Sequence, residues 1–248
     1  MTLQEAVLTD RERLVGIHHL DTLIVRNNLA LSYQQAGRTD EAITLQIAVL
    51  IDCERVLGPE HPDTLTARSN LAVGYREAGR TTEATTLLEA VLTDRERILG
   101  PEHPDTLTAH SNLASAFADN GRTTEATTLL EAVLTDRERI LGPEHPDTLT
   151  ARNNLATTYA DNGRTTEATT LLEAVLTDRE RILGPEHPST LTARNNLASA
   201  YSQAGRTAEA TALLEAVLTD FERILGPEHP DSITTRNNLA VTRRRAGP

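Results

Sequence analysis

The chain has 248 residues and a formal net charge of −12, and all 24 of its basic side chains are arginine because lysine is absent. This balance repels a phosphate backbone and removes lysine imine chemistry, so neither nucleic acid nor Schiff-base catalysis is expected. With 2% aromatic residues, one Met, no Trp and a single Cys, the core must be Leu, Ala, Val and Ile; one cysteine fits a reducing compartment, no apolar run nears the roughly 18 residues of a spanning helix, and a soluble, cytoplasmic protein without membrane contact is expected.

A 42-residue period organises the elements from the first residue onward. Residues 1–15 align with 43–57 and predict a partial helix B whose helix A is missing. A degenerate loop, Gly16-Ile17-His18-His19-Leu20-Asp21, follows. Its full form is Gly58-Pro59-Glu60-His61-Pro62-Asp63, which recurs from Gly100, Gly142 and Gly226 and, with Ser189 in the last place, from Gly184. These starts mark full units at 16–57, 58–99, 100–141, 142–183 and 184–225, and a terminal helix A over 226–248. The units from Gly100 and Gly142 match at 37 of 42 positions, differing at His110/Arg152, Ser111/Asn153, Ser115/Thr157, Ala116/Thr158 and Phe117/Tyr159. A fixed period in this range is the mark of a solenoid in which each unit buries its apolar face against its neighbours, so 1–248 is expected to be a single repeat array. The opening inside a hairpin is expected to reflect an array cut short or drifted at its N-terminus. Arg243 at the position of Tyr33, Tyr75, Phe117, Tyr159 and Tyr201 points to a natural C-terminal cap.

In the unit from Gly142, Pro143 and Pro146 punctuate a loop, and Asp147 complements the positive end of the next helix dipole. Helix A is predicted to run to about Asn162, burying Leu149, Leu155, Ala156 and Tyr159, with Gly163 closing it. Thr165 is the expected N-cap of helix B and Glu167 lies in its first turn. Ala168, Leu171, Leu172, Val175, Leu176, Ile182 and Leu183 then form its apolar stripe before Gly184-Pro185. Arg137, Glu138 and Arg139, echoed at Arg95 and Arg179, read as a solvated face, with Cys53 and Phe221 as drift at that position. His61, His103, His145, His187 and His229 recur at ~10 Å separations and cannot converge on one ion at ~2 Å, so they read as loop-packing residues. No metal, cofactor or catalytic constellation is expected.

The order Asn-Leu-Ala-x-x-Tyr-x-x-x-Gly-Arg-x-x-Glu-Ala-x-x-Leu-Leu over 154–172 resembles a tetratricopeptide repeat, and the 42-residue period is similar to the variety found in kinesin light chains. Arg68, His110, Arg152, Arg194 and Arg236 stand where the older 34-residue pattern carries an aromatic. The resemblance implies an all-α, right-handed α-solenoid of antiparallel helical hairpins that is not an enzyme. It also implies that helices A line a concave groove binding an extended protein segment. Two ladders then face that groove. The first is Asn28, Asn70, Asn112, Asn154, Asn196 and Asn238. The second is Asn27, Ser69, Ser111, Asn153, Asn195 and Asn237. An Asn amide offers a donor and an acceptor to an extended backbone, although the same amides can bond neighbouring helices instead. Asp119 and Asp161, with lysine absent, favour a neutral or basic ligand over a carboxylate. The alternative function is self-association as an assembly module, for which Leu3, Ala6 and Val7 would form a weak homodimer contact through the N-terminal end.

Overall fold

The computed structural model describes residues 3–245, with side chains from Glu5 onward. The described residues form twelve helices: α1 (Leu3–Val15), α2 (Leu20–Gln35), α3 (Thr39–Leu57), α4 (Pro62–Glu77), α5 (Thr81–Leu99), α6 (Pro104–Asp119), α7 (Thr123–Leu141), α8 (Pro146–Asp161), α9 (Thr165–Leu183), α10 (Pro188–Gln203), α11 (Thr207–Leu225) and α12 (Pro230–Arg245). Even-numbered helices are the helices A of the sequence period and odd-numbered ones the helices B. The chain divides into two compact units, Met1–Ala126 and Thr127–Pro248. No helix of the described residues is long and apolar enough to cross a membrane.

The histidines of the repeated loop start the helices A. His61 Nδ1 accepts a hydrogen bond from the Asp63 N–H at 3.2 Å, and His103, His145, His187 and His229 do the same for the residue two positions on. The imidazole thus satisfies an orphan donor, the task Ser or Asp usually performs at this position, while Pro at the first helical residue has no N–H to satisfy. Gly163 closes helix α8 with φ +76 and Gly184 closes α9 with φ +88, backbone that a side chain would strain.

The entry to helix B differs from the expectation. In α9 the N-cap is Arg164 and makes no side-chain cap bond, so Thr165 is the first helical residue rather than the cap. The reason is the use made of that arginine. Its guanidinium lies 3.9 Å from the centroid of the Tyr159 ring and its Nε donates to Glu167 at 3.0 Å, joining the end of helix A to the start of helix B. Arg38, Arg80, Arg122 and Arg206 repeat the arrangement on Tyr33, Tyr75, Phe117 and Tyr201.

In the first unit the core runs through Leu23, Val49, Cys53 and Ala67, and Ala30, Ala42, Ala72 and Ala84 are fully buried. In the second, Ala156, Leu172, Leu197 and Ala200 form one cluster and Leu191, Val217 and Phe221 another, again with fully buried Ala168, Ala198 and Ala210. Alanine at these places lets helices approach closely. Within the first unit helices A meet one another, α2 with α4 and α4 with α6, as α8 meets α10 and α10 meets α12 in the second; α3 with α5 and α9 with α11 have no comparable contact. The helices A of each unit therefore pack against one another more closely than its helices B do.

Arg95, Arg137 and Arg179 are not on a solvated face. They are 6–8% exposed, and each Nη1 donates to the carbonyl of the second residue of the next helix A: Asp105 at 2.9 Å, Asp147 at 3.0 Å and Ser189 at 2.8 Å. The apolar stem packs in the core while the head finds a backbone acceptor, and desolvation holds the guanidinium pKa below its ordinary value. Cys53 and Phe221 occupy the same slot, buried. The arginines that replace the family aromatic clamp helix A between two helices B: Arg68 reaches Glu54 at 2.8 Å and Asp94 at 3.3 Å, and Arg152 reaches Glu138 at 2.7 Å and Asp178 at 3.4 Å. At the N-terminal end Ala6 is half-buried and Val7 exposed, while the side chain of Leu3 lies outside the described residues.

Candidate functional site

The helices A of each unit carry the asparagines, and their partners divide them into two kinds. In the first unit Asn70 Nδ2 donates to Asn27 Oδ1 at 3.0 Å. In the second, Asn196 Nδ2 donates to Asn153 Oδ1 at 3.0 Å and Asn238 Nδ2 to Asn195 Oδ1 at 3.4 Å. A first-ladder amide is therefore tied to the second-ladder amide of the preceding helix A wherever that residue is Asn. Such a tie uses one donor and one acceptor, leaving an Oδ1 and an Nδ2 for other partners.

Serine in the second ladder breaks the pattern. The Ser69 hydroxyl donates to the Leu65 carbonyl of its own helix at 3.0 Å, and Ser111 does the same to Leu107 at 3.1 Å. A hydroxyl one bond from Cβ is held by the backbone four residues back and is too short to reach the next helix. Asn112 and Asn154 then make no side-chain hydrogen bond among the described residues, although both are half-buried; Asn28, at the first rung, is exposed and likewise untied. A half-buried amide with both functions open can pair with water or with a ligand group.

The acidic residues near the ends of these helices also differ. Asp119 accepts from Arg76 Nε at 2.6 Å, which neutralises it within the first unit. Asp161 has no ion pair among the described residues; although the residue as a whole is exposed, partial desolvation lifts its carboxyl above the ordinary carboxylate range. Seven residues separate Asn154 from Asp161, two turns of α8, so the free amide and the free carboxylate lie on nearly the same face ~10 Å apart. Reading the sequence alone groups all the asparagines as equivalent rungs. The signal that separates them was the Ser/Asn alternation at Ser69, Ser111, Asn153 and Asn195, whose meaning depends on which amide faces which across the helix pair. Among the described residues no three His, Cys, Asp or Glu side chains gather as a metal-ligand set.

The family profile described as tetratricopeptide repeat matches residues 21–96, 75–135, 105–176 and 147–223. Among solved structures the chain is similar to nearly identical TPR-like repeats of a kinesin-light-chain-like protein from Podosopora anserina, at 37% identity and a TM-score of 0.64, covering 83% of this chain and 97% of that one. It is also similar to BtubC (BKLC) from P. vanneervenii, at 21% identity and a TM-score of 0.68 over 91% of this chain and 94% of that one. A third is Bacillus thuringiensis PlcR in complex with a peptide and DNA, at 14% identity and a TM-score of 0.64 over 98% and 80% of the two chains. The latter two likenesses are of fold. No curated protein matches the chain in sequence.

Proposed function

We propose that this chain, which belongs to the tetratricopeptide repeat family in its kinesin-light-chain-like form, is a non-enzymatic interaction scaffold whose helices A bind an extended, neutral to basic protein segment. The observation that carries the reading is one untied, half-buried amide in each unit, Asn112 in the first and Asn154 in the second, while the other half-buried members of the ladders are tied across helices. Each can donate to a ligand carbonyl and accept from a ligand N–H without reading side chains, which suits an extended backbone. The free Asp161 carboxylate adds a place for a positive group, and the net charge of −12 favours a basic approach. PlcR, a protein of the same fold, is solved with a peptide, which supports the class of ligand.

A displayed library of random 12-residue peptides tests this. Wild type should enrich extended sequences rich in Arg or Lys and poor in Asp and Glu, and an Asn112→Ala/Asn154→Ala variant of unchanged helicity should not enrich them. Equal enrichment by both proteins sinks the assignment of these two residues.

A further inference from the structure

A pocket on the first unit points to a second recognition element. In α5, α7 and α9 the slot beneath the next helix A is filled by Arg95, Arg137 and Arg179, each donating to a helix-A carbonyl. In α11 the bulk of Phe221 fills it. In α3 the residue is Cys53, which reaches neither as far nor as wide. A cavity of about 70 Å³ opens there, lined by Leu20, Ile24, Asn27, Cys53, Asp63 and Thr66 among others. Asp63 is the residue equivalent to Asp105, Asp147 and Ser189, so the carbonyl that those three repeats pair with an arginine has no such partner here.

The mouth is open on the side of the helices A, where Leu20, Ile24, Asp63 and Thr66 are exposed. Leu20 and Ile24 stand where the other units have Pro and Thr, and offer an apolar collar for an alkyl stem. Burial first, and then the charges of Asp63, Asp52 and Glu54, push the Cys53 thiol pKa up; Asp52 is paired with Arg26 and Arg55 and Glu54 with Arg68, which leaves Asp63 as the carboxylate at the mouth without an arginine partner. An apolar neck, a helix-A carbonyl whose second lone pair is unused and an exposed carboxylate at the mouth together describe one occupant.

We propose that this pocket receives the side chain of an arginine carried by a partner segment, whose guanidinium donates to the Asp63 carbonyl as Arg95 does to that of Asp105. The protein thus takes in trans the residue that three of its repeats supply themselves. The pocket opens beside Asn27, and the inference rests on the reading of the helix-A face only in having the arginine arrive on an extended chain.

Nuclear magnetic resonance titration with N-acetyl-arginine-N-methylamide, and with the norleucine analogue as an apolar probe, tests the pocket on its own. The arginine probe should shift the backbone amides of Ile24, Asn27 and Thr66, and the norleucine probe should not. Two variants copy fillings this chain already tolerates, Cys53→Arg and Cys53→Phe, and both should weaken the arginine probe at least about tenfold, as loss of a hydrogen bond to a charged group implies. Asn112→Ala/Asn154→Ala should leave probe binding unchanged, which separates failure of the pocket from failure of the ladder. No shift at the three amides, equal shifts by norleucine, or undiminished binding by either filled variant overturns the proposal.

Discussion

The contact of Gly74 with Gln46 makes the sharpest packing prediction. Gln46 is 1% exposed on α3 where the equivalent residues are Leu88, Leu130, Leu172 and Leu214, and its Nε2 donates to Gln34 Oε1 at 3.1 Å. A Cβ on Gly74 would stand 2.6 Å from Gln46 Oε1, 3.2 Å from Ile43 Cγ1 and 3.3 Å from Gln34 Nε2. Gly74→Ala gains about 0.5–1 kcal/mol of helix preference but loses ~1–3 kcal/mol to overpacking, a net destabilisation of about 1 kcal/mol. The double variant Gly74→Ala/Gln46→Leu installs the pair that Leu172 and Ala200 form in the second unit and removes the unpartnered Gln46 Oε1. It should be more stable than Gly74→Ala alone, with a coupling of ~0.5–3 kcal/mol. Because repeat arrays need not unfold in one step, the assay is native-state amide exchange at α2, α3 and α4 rather than a single melting curve. Additive effects of the two substitutions would refute the claim that glycine and glutamine are matched.

Three further outcomes follow from the contacts. Asn153→Ala should remove the tie to Asn196 and lower local stability by ~0.5–1.5 kcal/mol, whereas Asn112→Ala should leave exchange protection of α6 unchanged; chemical denaturation followed by exchange separates them. Arg137→Met keeps the buried stem but removes the charged donor that the Asp147 carbonyl accepts beside its own helix bond, and should cost ~1–3 kcal/mol read as faster exchange at the start of α8. Asp161 has a folded-state pKa above its unfolded value, so its favourable contribution is fully present below the ordinary aspartate range and is lost as pH rises through the raised value. Asp161→Asn should therefore stabilise the second unit near pH 7 and make no difference near pH 3, with equal effects at both values counting against a desolvated carboxylate.

Much of the fold was readable because the period repeats its punctuation. Gly-Pro-Glu-His-Pro-Asp or a close variant marks the loops before the helices A from α4 onward, and Gly-Arg marks the loops between helix A and helix B. What escaped were roles that depend on reach across helices. Histidine at a helix start looked like packing, yet its Nδ1 caps the helix, a use that residue preference does not favour. Arg95, Arg137 and Arg179 looked solvated because their charge outweighed a long apolar stem in the reading, and the carbonyl that satisfies them lies ten residues on. The site itself was half legible. Asn112 and Asn154 were named among the rungs, but their separation from Asn70, Asn196 and Asn238 depends on serine hydroxyls too short to bridge the gap. No pattern of residue types alone shows that distance. Cys53 reads as drift in the sequence for the same reason: a substitution shows as a vacancy only once its neighbours' reach is known.

The central claim is that the untied amides are the ones that meet a ligand. Side-chain amide resonances of a selectively Asn-labelled chain, titrated with the peptide enriched most strongly by display, test it directly. The account predicts that the NH₂ signals of Asn112 and Asn154 move and exchange more slowly on binding, while those of Asn70, Asn196 and Asn238 keep their shifts. A bound peptide that leaves Asn112 and Asn154 unmoved, or perturbs all five amides alike, would contradict it.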